Sequence, residues 1–368
     1  SPFNLEIMVL GMYKVYQKII LACLLLVMTG TVYSQRVTQT INDGWKFSLF
    51  EGDASTADFD ISGWTDVSIP HTWNAKDADD EIPGYFRGKG WYRKVVTVEE
   101  LIPEQRVYLS FEGANQETNV FVNGTFVGNH KGGYSAFTFD VTDYVHAGRN
   151  LIAVSVDNSH HPDIAPLSAD FTFFGGIYRD VYLVYTSPVQ LSTTHYASSG
   201  VYLKASKITD LQANISVKTF LSNALKSNQS LILETEILDA DGNRVALSQK
   251  KVNVKAEEKN VAFESLMTIT QPKRWDVDSP YIYKVYSRLK NKKEEVLDCV
   301  VNPLGIREYR FDAEKGFFLN GKYRKLIGTS RHQDYKGMGN ALRDEMHIRD
   351  VQLSKDMGSN FLRVAHYP

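Results

Sequence analysis

The sequence predicts a mostly β chain: a jelly-roll β-sandwich, then an immunoglobulin-like β-sandwich, then the truncated start of a (β/α)8 TIM barrel. Three observations predict it. Aromatic residues are plentiful, with 20 Tyr, 19 Phe and 5 Trp, and short β-branched runs are broken by Asn, Gly, Asp and Pro, the composition of twisted antiparallel sheets. No segment between residues 37 and 185 shows a convincing 3.6-residue period. Strand-like, helix-like and strand-like segments then follow one another near the end, the opening order of a β/α barrel.

The chain of 368 residues has room for two or three domains, each with its own core. The expected division is residues 1–35 for a signal peptide and upstream residues, 36–188 for the jelly roll, 189–304 for the immunoglobulin-like sandwich and 305–368 for the barrel start. Charge nearly balances, 41 basic against 43 acidic residues, so neither a nucleic-acid-binding field nor an acidic solvating tail is expected.

Within the first segment, Lys14 and Lys18 precede the apolar run Ile19 to Met28, and Val32-Tyr33-Ser34 offers small residues where a signal peptidase reads. Cleavage near Ser34 and a secreted or periplasmic location are expected. The apolar run falls short of the ~20 residues that span a bilayer, which disfavours a permanent membrane helix. A lipoprotein site at Cys23 is the weaker alternative. Without the signal, Cys299 is the one cysteine left, so no intrachain disulfide is expected and packing must carry stability.

In the first sandwich, Val107 to Phe111 alternates, and Val120-Phe121-Val122 runs into Asn123-Gly124, a pair that tolerates the positive φ of a two-residue hairpin turn before Phe126-Val127 returns. Leu151 to Val156 and Tyr178 to Tyr185 continue the series. Ser187-Pro188 marks a break, since proline ends ladder pairing. Strands are then expected at Ala213 to Leu221, Ser230 to Leu238, Arg244 to Val254 and Val261 to Thr270. The segment Asp239-Ala240-Asp241-Gly242-Asn243 superficially suggests a calcium loop, but its glycine comes too early and no Glu follows at the required position, so a hairpin turn is expected.

From Gly305 the character changes. Phe317 to Lys322 reads as a hairpin around Asn320-Gly321, and Lys325 to Gly328 as a short strand. Asp344 to Met357 reads as a helix with Met346, Leu353 and Met357 on one stripe, acidic residues in its first turn and Gly358 as its C-terminal cap, and Phe361 to Val364 as a second strand. A complete barrel takes about 250 residues. The barrel is therefore expected to be incomplete here, with its remaining chemistry beyond residue 368, and Leu326, Ile327, Phe361 and Leu362 to lie along unpaired edges.

Active sites of β/α barrels gather at the C-terminal ends of the strands. Arg331-His332-Gln333-Asp334 and His366-Tyr367 would lie there and converge on one mouth; the plain alternative is strand-end polar groups satisfying one another. Asp170-Phe171-Thr172-Phe173-Phe174-Gly175-Gly176 combines a carboxylate, which accepts paired hydrogen bonds from vicinal hydroxyls, with aromatic faces that cover a pyranose. On spacing alone, a buried aromatic loop is the stronger reading of that stretch, and Trp91-Tyr92 reads as core. His160-His161-Pro162-Asp163 lacks a third metal ligand at convincing spacing. There is no G-x-S-x-G elbow, P-loop or dinucleotide fingerprint, so neither serine hydrolysis nor nucleotide chemistry is implied.

From about Trp45 to Pro368 the chain resembles the N-terminal part of glycoside hydrolase family 2, the family of β-galactosidases, β-glucuronidases and β-mannosidases. The motifs are Ile69-Pro70-His71-Thr72-Trp73-Asn74, Gly90-Trp91-Tyr92-Arg93, Val122-Asn123-Gly124, Gly175-Gly176-Ile177-Tyr178-Arg179-Asp180, Arg331-His332-Gln333-Asp334 and Asn360 to Pro368. The resemblance implies a secreted retaining exo-β-glycosidase using two glutamates, both after His366-Tyr367-Pro368, so this chain alone is expected to be inactive and to contribute no catalytic residue. It implies substrate binding by Asp170, His332, His366 and Asp334, with Arg331, Arg363, Asn360 and Tyr367 as structural residues near the site.

Two positions depart from the family pattern: Ser330 stands where Asn is usual, and Val364-Ala365 replaces a small polar pair. Asp334-Tyr335 after Arg-His-Gln leans toward the β-galactosidase branch, with β-glucuronidase or β-mannosidase as alternatives. No cofactor or metal is implied for this chain, with a divalent or monovalent cation in the full-length enzyme left open. The partner expected is a carbohydrate, a β-galactoside or related oligosaccharide, with no nucleic acid, no membrane once the signal is cleaved, and a homo-oligomer left open. A non-catalytic carbohydrate-binding module and a pure scaffold are the competing classes.

Overall fold

Period-two alternation builds the first sandwich. Val107, Leu109 and Phe111 face inward from one sheet, and Val120, Val122, Ile152, Val154 and Val156 from the other, all within one buried cluster with Trp45 and Tyr92. A side chain of this size contributes roughly 1.5–3 kcal/mol when fully buried. The computed structural model describes residues 36–99 and 101–364. The expected signal segment, as well as His366 and Tyr367, lies outside the described residues.

One sheet of this sandwich has six antiparallel strands in the order Thr65–Val67, Trp45–Leu49, Lys89–Val98, Gly148–Asp157, Glu117–Val122 and Thr125–Lys131. The facing sheet has four: Val37–Thr40, Val181–Thr186, Arg106–Phe111 and Phe137–Asp140. Asn123 and Gly124 take φ of 51° and 81°, the two positive values that a type I′ hairpin turn needs. Trp91 and Tyr92 are buried, as expected of core.

The second sandwich pairs Gln212–Asn223 with Val189–Leu191, Val201–Ser206 and Val261–Thr270, and faces a sheet ordered Arg244–Val254, Gln229–Leu238, Tyr283–Lys290 and Val296–Leu304. Ala213, Ile215, Val217 and Leu221 alternate inward from its longest strand. Asp239 to Asn243 is a hairpin turn: the Asp239 carboxylate accepts from the backbone N–H of Asp241 at 3.0 Å and of Asn243 at 2.8 Å. The sandwiches are clamped by Arg36, whose Nε and Nη2 donate to the fully buried Asp298 at 3.0 and 2.8 Å. Burial would lower the Arg36 guanidinium, but the Asp298 charge outweighs it and holds Arg36 above its ordinary value.

Beyond these, Tyr309–Asp312, Gly316–Leu319 and Lys322–Tyr323 form a small antiparallel sheet. Gly328–Arg331 and Phe361–Val364 then pair in parallel, joined by the helix Asp344–Asp356. This is one β-α-β unit. The helix ends as expected: Gly358 has φ of 88°, and the N–H groups of Gly358 and Ser359 return to the carbonyls of Lys355 and Ser354 at 2.9 and 3.1 Å, closing its last turn.

Two expectations shift. The first barrel strand is Gly328–Arg331, three residues later than Lys325 to Gly328. The cause is Asn360, whose side-chain amide donates to the Lys325 carbonyl at 3.0 Å and accepts from the Ile327 N–H at 2.9 Å, occupying the backbone that a strand would use. The helix face differs as well. Its partly covered residues are Met346, His347, Asp350 and Ser354, whereas Leu353 and Met357 are exposed with Ile348 and Val351. An ion pair rather than an apolar stripe docks it, as described below. Leu326, Ile327 and Phe361 are exposed, while Leu362 is partly covered. No helix among the described residues is long and apolar enough to cross a membrane.

Candidate functional site

The site grows from a buried amide. Asn158, immediately after the strand Gly148–Asp157, is fully buried. Its Oδ1 accepts from the Gly88 N–H at 2.9 Å, and its Nδ2 donates to Asn74 Oδ1 at 3.2 Å and to the Phe173 carbonyl at 2.8 Å. Asn74 Oδ1 also accepts from the Gly175 N–H at 2.8 Å. A buried polar group stays only when its bonds are met, and here each bond ties a different loop to the sandwich edge.

The aromatic stretch therefore has two halves with two roles. Phe173, Phe174, Ile177 and Tyr178 are buried, and the Phe173 N–H donates to the Tyr85 hydroxyl at 3.0 Å. Gly176 sits at φ of 129°, where a Cβ would lie 2.5 Å from the His71 carbonyl oxygen, so the turn requires glycine. This half is the locked loop that spacing favoured. Asp170 and Phe171 lie before the lock, and both line an open cleft of about 510 Å³.

His332 and Asp334 reach the same cleft from the barrel start, alongside Tyr85, Arg87 and Phe173. His332 follows the last residue of the strand Gly328–Arg331, and its ring centroid lies 6.3 Å from that of Phe171. Burial raises the Asp334 carboxyl above its ordinary value, His332 and Arg331 oppose the shift, and Asp79 adds to it. Three of the four expected binding residues thus share one cavity; the fourth, His366, lies outside the described residues.

The remaining candidates brace the frame. Arg331 donates through Nε and Nη2 to Asp350 Oδ2 at 2.7 and 2.5 Å, which docks the helix on the strand. Tyr335 donates its hydroxyl to Asp350 Oδ1. Burial alone would raise Asp350, but these donors hold its carboxyl below the usual range. Gln333 accepts from Arg179 Nη2 at 3.2 Å, and Asp79 from the Gly337 N–H at 3.2 Å, so the barrel start is pinned to the first sandwich on both sides of Asp334. Arg363 is exposed and donates to Ser330 Oγ across a long 3.5 Å; Asn360 holds the strand entry.

Sequence reasoning missed Arg87, Tyr85 and Asn158. Arg87 reaches Asn158 across 71 positions, and nothing in local spacing announces such a contact. His161 lies 3.6 Å from Glu117 and Asp163 pairs with Lys131 at 2.9 Å; among the described residues no group of three or more His, Cys, Asp or Glu could hold a metal ion.

Comparison with known proteins agrees with this architecture. Residues 38–188 match the family model for the glycosyl hydrolases family 2 sugar binding domain, 199–307 the model for glycosyl hydrolases family 2, and 312–368 the model for its TIM barrel domain. A Bacteroides fragilis β-glucuronidase is 38% identical over 350 residues, covering 94% of this chain and 48% of its own length. A Thermoanaerobacter pseudethanolicus β-galactosidase is 35% identical over 343 residues, covering 90% of this chain and 42% of its own length. The crystal structure of Bacteroides uniformis β-glucuronidase 2 covalently bound to cyclophellitol-6-carboxylate aziridine superposes with a TM-score of 0.87 at 40% identity, over 91% of this chain and 40% of that one. The chain thus spans half or less of the length of these relatives. With three family models matched in chain order and a cleft assembled between the first and third, the chain belongs to glycosyl hydrolase family 2.

Proposed function

We propose that this chain forms the sugar-gripping side of a retaining exo-β-glycosidase acting on β-glucuronides. One observation carries the reading: Asp170 and His332, 162 positions apart in sequence, line one open polar cleft. An ionised carboxylate accepts paired hydrogen bonds from sugar hydroxyls, an imidazole can donate or accept, and Phe171 offers an aromatic face beside them. In this reading Asp334 modulates the His332 side, Arg331 and Asn360 fix the strands beneath, and His366, Tyr367 and Arg363 serve as the resemblance implies.

In retaining glycosidases two carboxyl groups about 5–5.5 Å apart act as acid/base and nucleophile. The resemblance puts both glutamates after Pro368, so binding and positioning are the roles assigned here. The sequence alone leaned toward β-galactosidase. Glucuronides are favoured instead because the names of several of the most similar relatives are β-glucuronidases, while the galactosidase reading keeps the support of the Thermoanaerobacter enzyme. Export through the signal segment remains part of the proposal.

Titration calorimetry with methyl β-D-glucuronide tests it. Asp170→Ala and His332→Ala should each weaken binding by about tenfold or more, the worth of a hydrogen bond to a charged group. Unchanged affinity in both variants would sink the cradle. Full affinity in a chain ending near residue 190 would favour a stand-alone binding module instead.

A further inference from the structure

A second cavity, of about 240 Å³, opens at the joint between the two sandwiches and shares no lining residue with the cleft. Pro188, where the chain passes from one sandwich to the next, lines it. Arg106 and Tyr108 reach it from one strand of the first sandwich, and Asp140 from the end of the neighbouring strand Phe137–Asp140. Gln190, Ser222 and Asn223 come from the paired strands Val189–Leu191 and Gln212–Asn223 of the second. Both sandwiches are needed to build it.

The deepest side chains are polar but uncharged, since Tyr108, Gln190, Ser222 and Asn223 are the buried ones. Burial pushes the Tyr108 hydroxyl up to about 12, so it keeps its proton at neutral pH. The Tyr108 oxygen accepts from the Gln190 side-chain amide, which leaves the hydroxyl proton to donate. Gln190 Oε1 takes one bond of 3.3 Å from Thr193 and keeps a second lone pair. Asn223 Nδ2 donates to the Ser227 and Lys255 carbonyls, each at 2.9 Å, and so fixes the turns that carry the mouth.

Charge is confined to the outer part. Arg106 and Asp140 pair at 2.6 Å and largely cancel, while Asp143, Glu257 and Lys259 are exposed, where solvent and salt screen them. An ion moved onto the uncharged floor would lose hydration without gaining a counter-charge, which disfavours anions and cations alike. Among the described residues no group of three or more His, Cys, Asp or Glu could hold a metal ion. A hydroxyl both donates and accepts, and so matches a floor that sets a phenol O–H beside an amide oxygen. The volume lies below the roughly 300–1,000 Å³ of pockets for drug-sized ligands, which suits a single sugar ring.

The geometry points to a second binding site, at the joint between the sandwiches, for a neutral polyol the size of one monosaccharide. Its occupant touches both sandwiches at once and stiffens the joint. The assignment stands apart from the cleft and from the identity of the sugar bound there.

Calorimetric titration of D-glucose into the full chain carrying Asp170→Ala and His332→Ala, which disarms the cleft, tests this. That chain should retain one saturable site. Thr194→Trp, at the exposed mouth where the indole would fill the cavity, should weaken it by about tenfold or more, and Tyr108→Phe, which removes one donor and keeps the ring, by roughly threefold to tenfold. D-Glucuronate, the same ring with a charge, should bind there at least about tenfold more weakly than D-glucose. Three results each overturn the assignment: no saturable uptake of D-glucose, an affinity unmoved by both Thr194→Trp and Tyr108→Phe, or D-glucuronate bound as tightly as D-glucose and lost in Thr194→Trp. The cleft is read separately, by methyl β-D-glucuronide in the native chain, so either site can fail without the other.

Discussion

Arg331 grips Asp350 through two nitrogens on one carboxylate oxygen, at 2.7 and 2.5 Å, and so joins the tip of the first barrel strand to the middle of the helix that follows. The next residue is His332, in the cleft. Strand, helix and candidate sugar contact are therefore set by one ion pair.

Asp350→Asn should cost about 2 kcal/mol of stability, since a charge-assisted pair is reduced to a neutral one that Arg331 can use less well. It should also weaken sugar binding through His332, although the substituted side chain does not line the cleft. Denaturant unfolding and calorimetry on the same variant check both; loss of stability with full affinity would separate the ion pair from the cleft.

His71 gives an acid-sensitive term. Burial lowers its imidazole to about 4 from 6.5, with Nδ1 and the Tyr92 hydroxyl 2.7 Å apart. The unfolded chain therefore binds the proton first, and stability that is complete above pH 6.5 is lost as pH falls toward 4, by up to about 3 kcal/mol. His71→Gln should flatten the dependence of unfolding free energy on pH between about 4 and 6.5. An unchanged slope would place the acid sensitivity elsewhere.

At the joint between the sandwiches, Asp298→Ala should cost about 3–5 kcal/mol, because it strands the largely buried Arg36 guanidinium and also removes the acceptor of the Leu191 N–H at 2.8 Å. The paired replacement Arg36→Met with Asp298→Leu should recover part of that loss. A double-mutant cycle in urea measures the coupling directly.

Apolar side chains crowd the exposed surface of residues 309–364, including Phe311 at 70% exposure, Ile348 at 68% and Met357 at 70%. Exposed apolar patches and open strand edges promote association. The 368-residue chain on its own should self-associate at micromolar concentration, and Phe311→Lys with Ile348→Lys should reduce this, as sedimentation velocity would show. Strong hydrogen-exchange protection of Phe361 to Val364 in a monomer would contradict the expectation.

Both sandwiches were legible in the sequence because a half-buried strand alternates visibly, as Val107, Leu109 and Phe111 do in the first and Ala213, Ile215 and Val217 in the second, and because Asn123-Gly124 announces its turn. The barrel start was legible in outline only. Leu326-Ile327 looks like the centre of a strand, yet Asn360, 33 positions away, claims that backbone. Met346, Leu353 and Met357 look like a packed stripe, yet the covered face is Met346, His347, Asp350 and Ser354, selected by Arg331. Strand-end position pointed to His332 and the carboxylate beside aromatics to Asp170, and motif resemblance gave both their sugar-binding roles. Arg87 was not legible, since its place comes from Asn158 and Phe173, which only folding brings beside it.

Asn360 has a consequence for alignment. Its side chain bonds Lys325 and Ile327 as a neighbouring peptide group would, while its own N–H reaches the Ile327 carbonyl at 2.8 Å. A parallel pair of four-residue strands could otherwise slide by one step, which would turn every side chain to the opposite face. The amide acts as an index pin that sets Arg331 level with Val364, so the height at which His332 enters the cleft is decided 28 residues later in the chain.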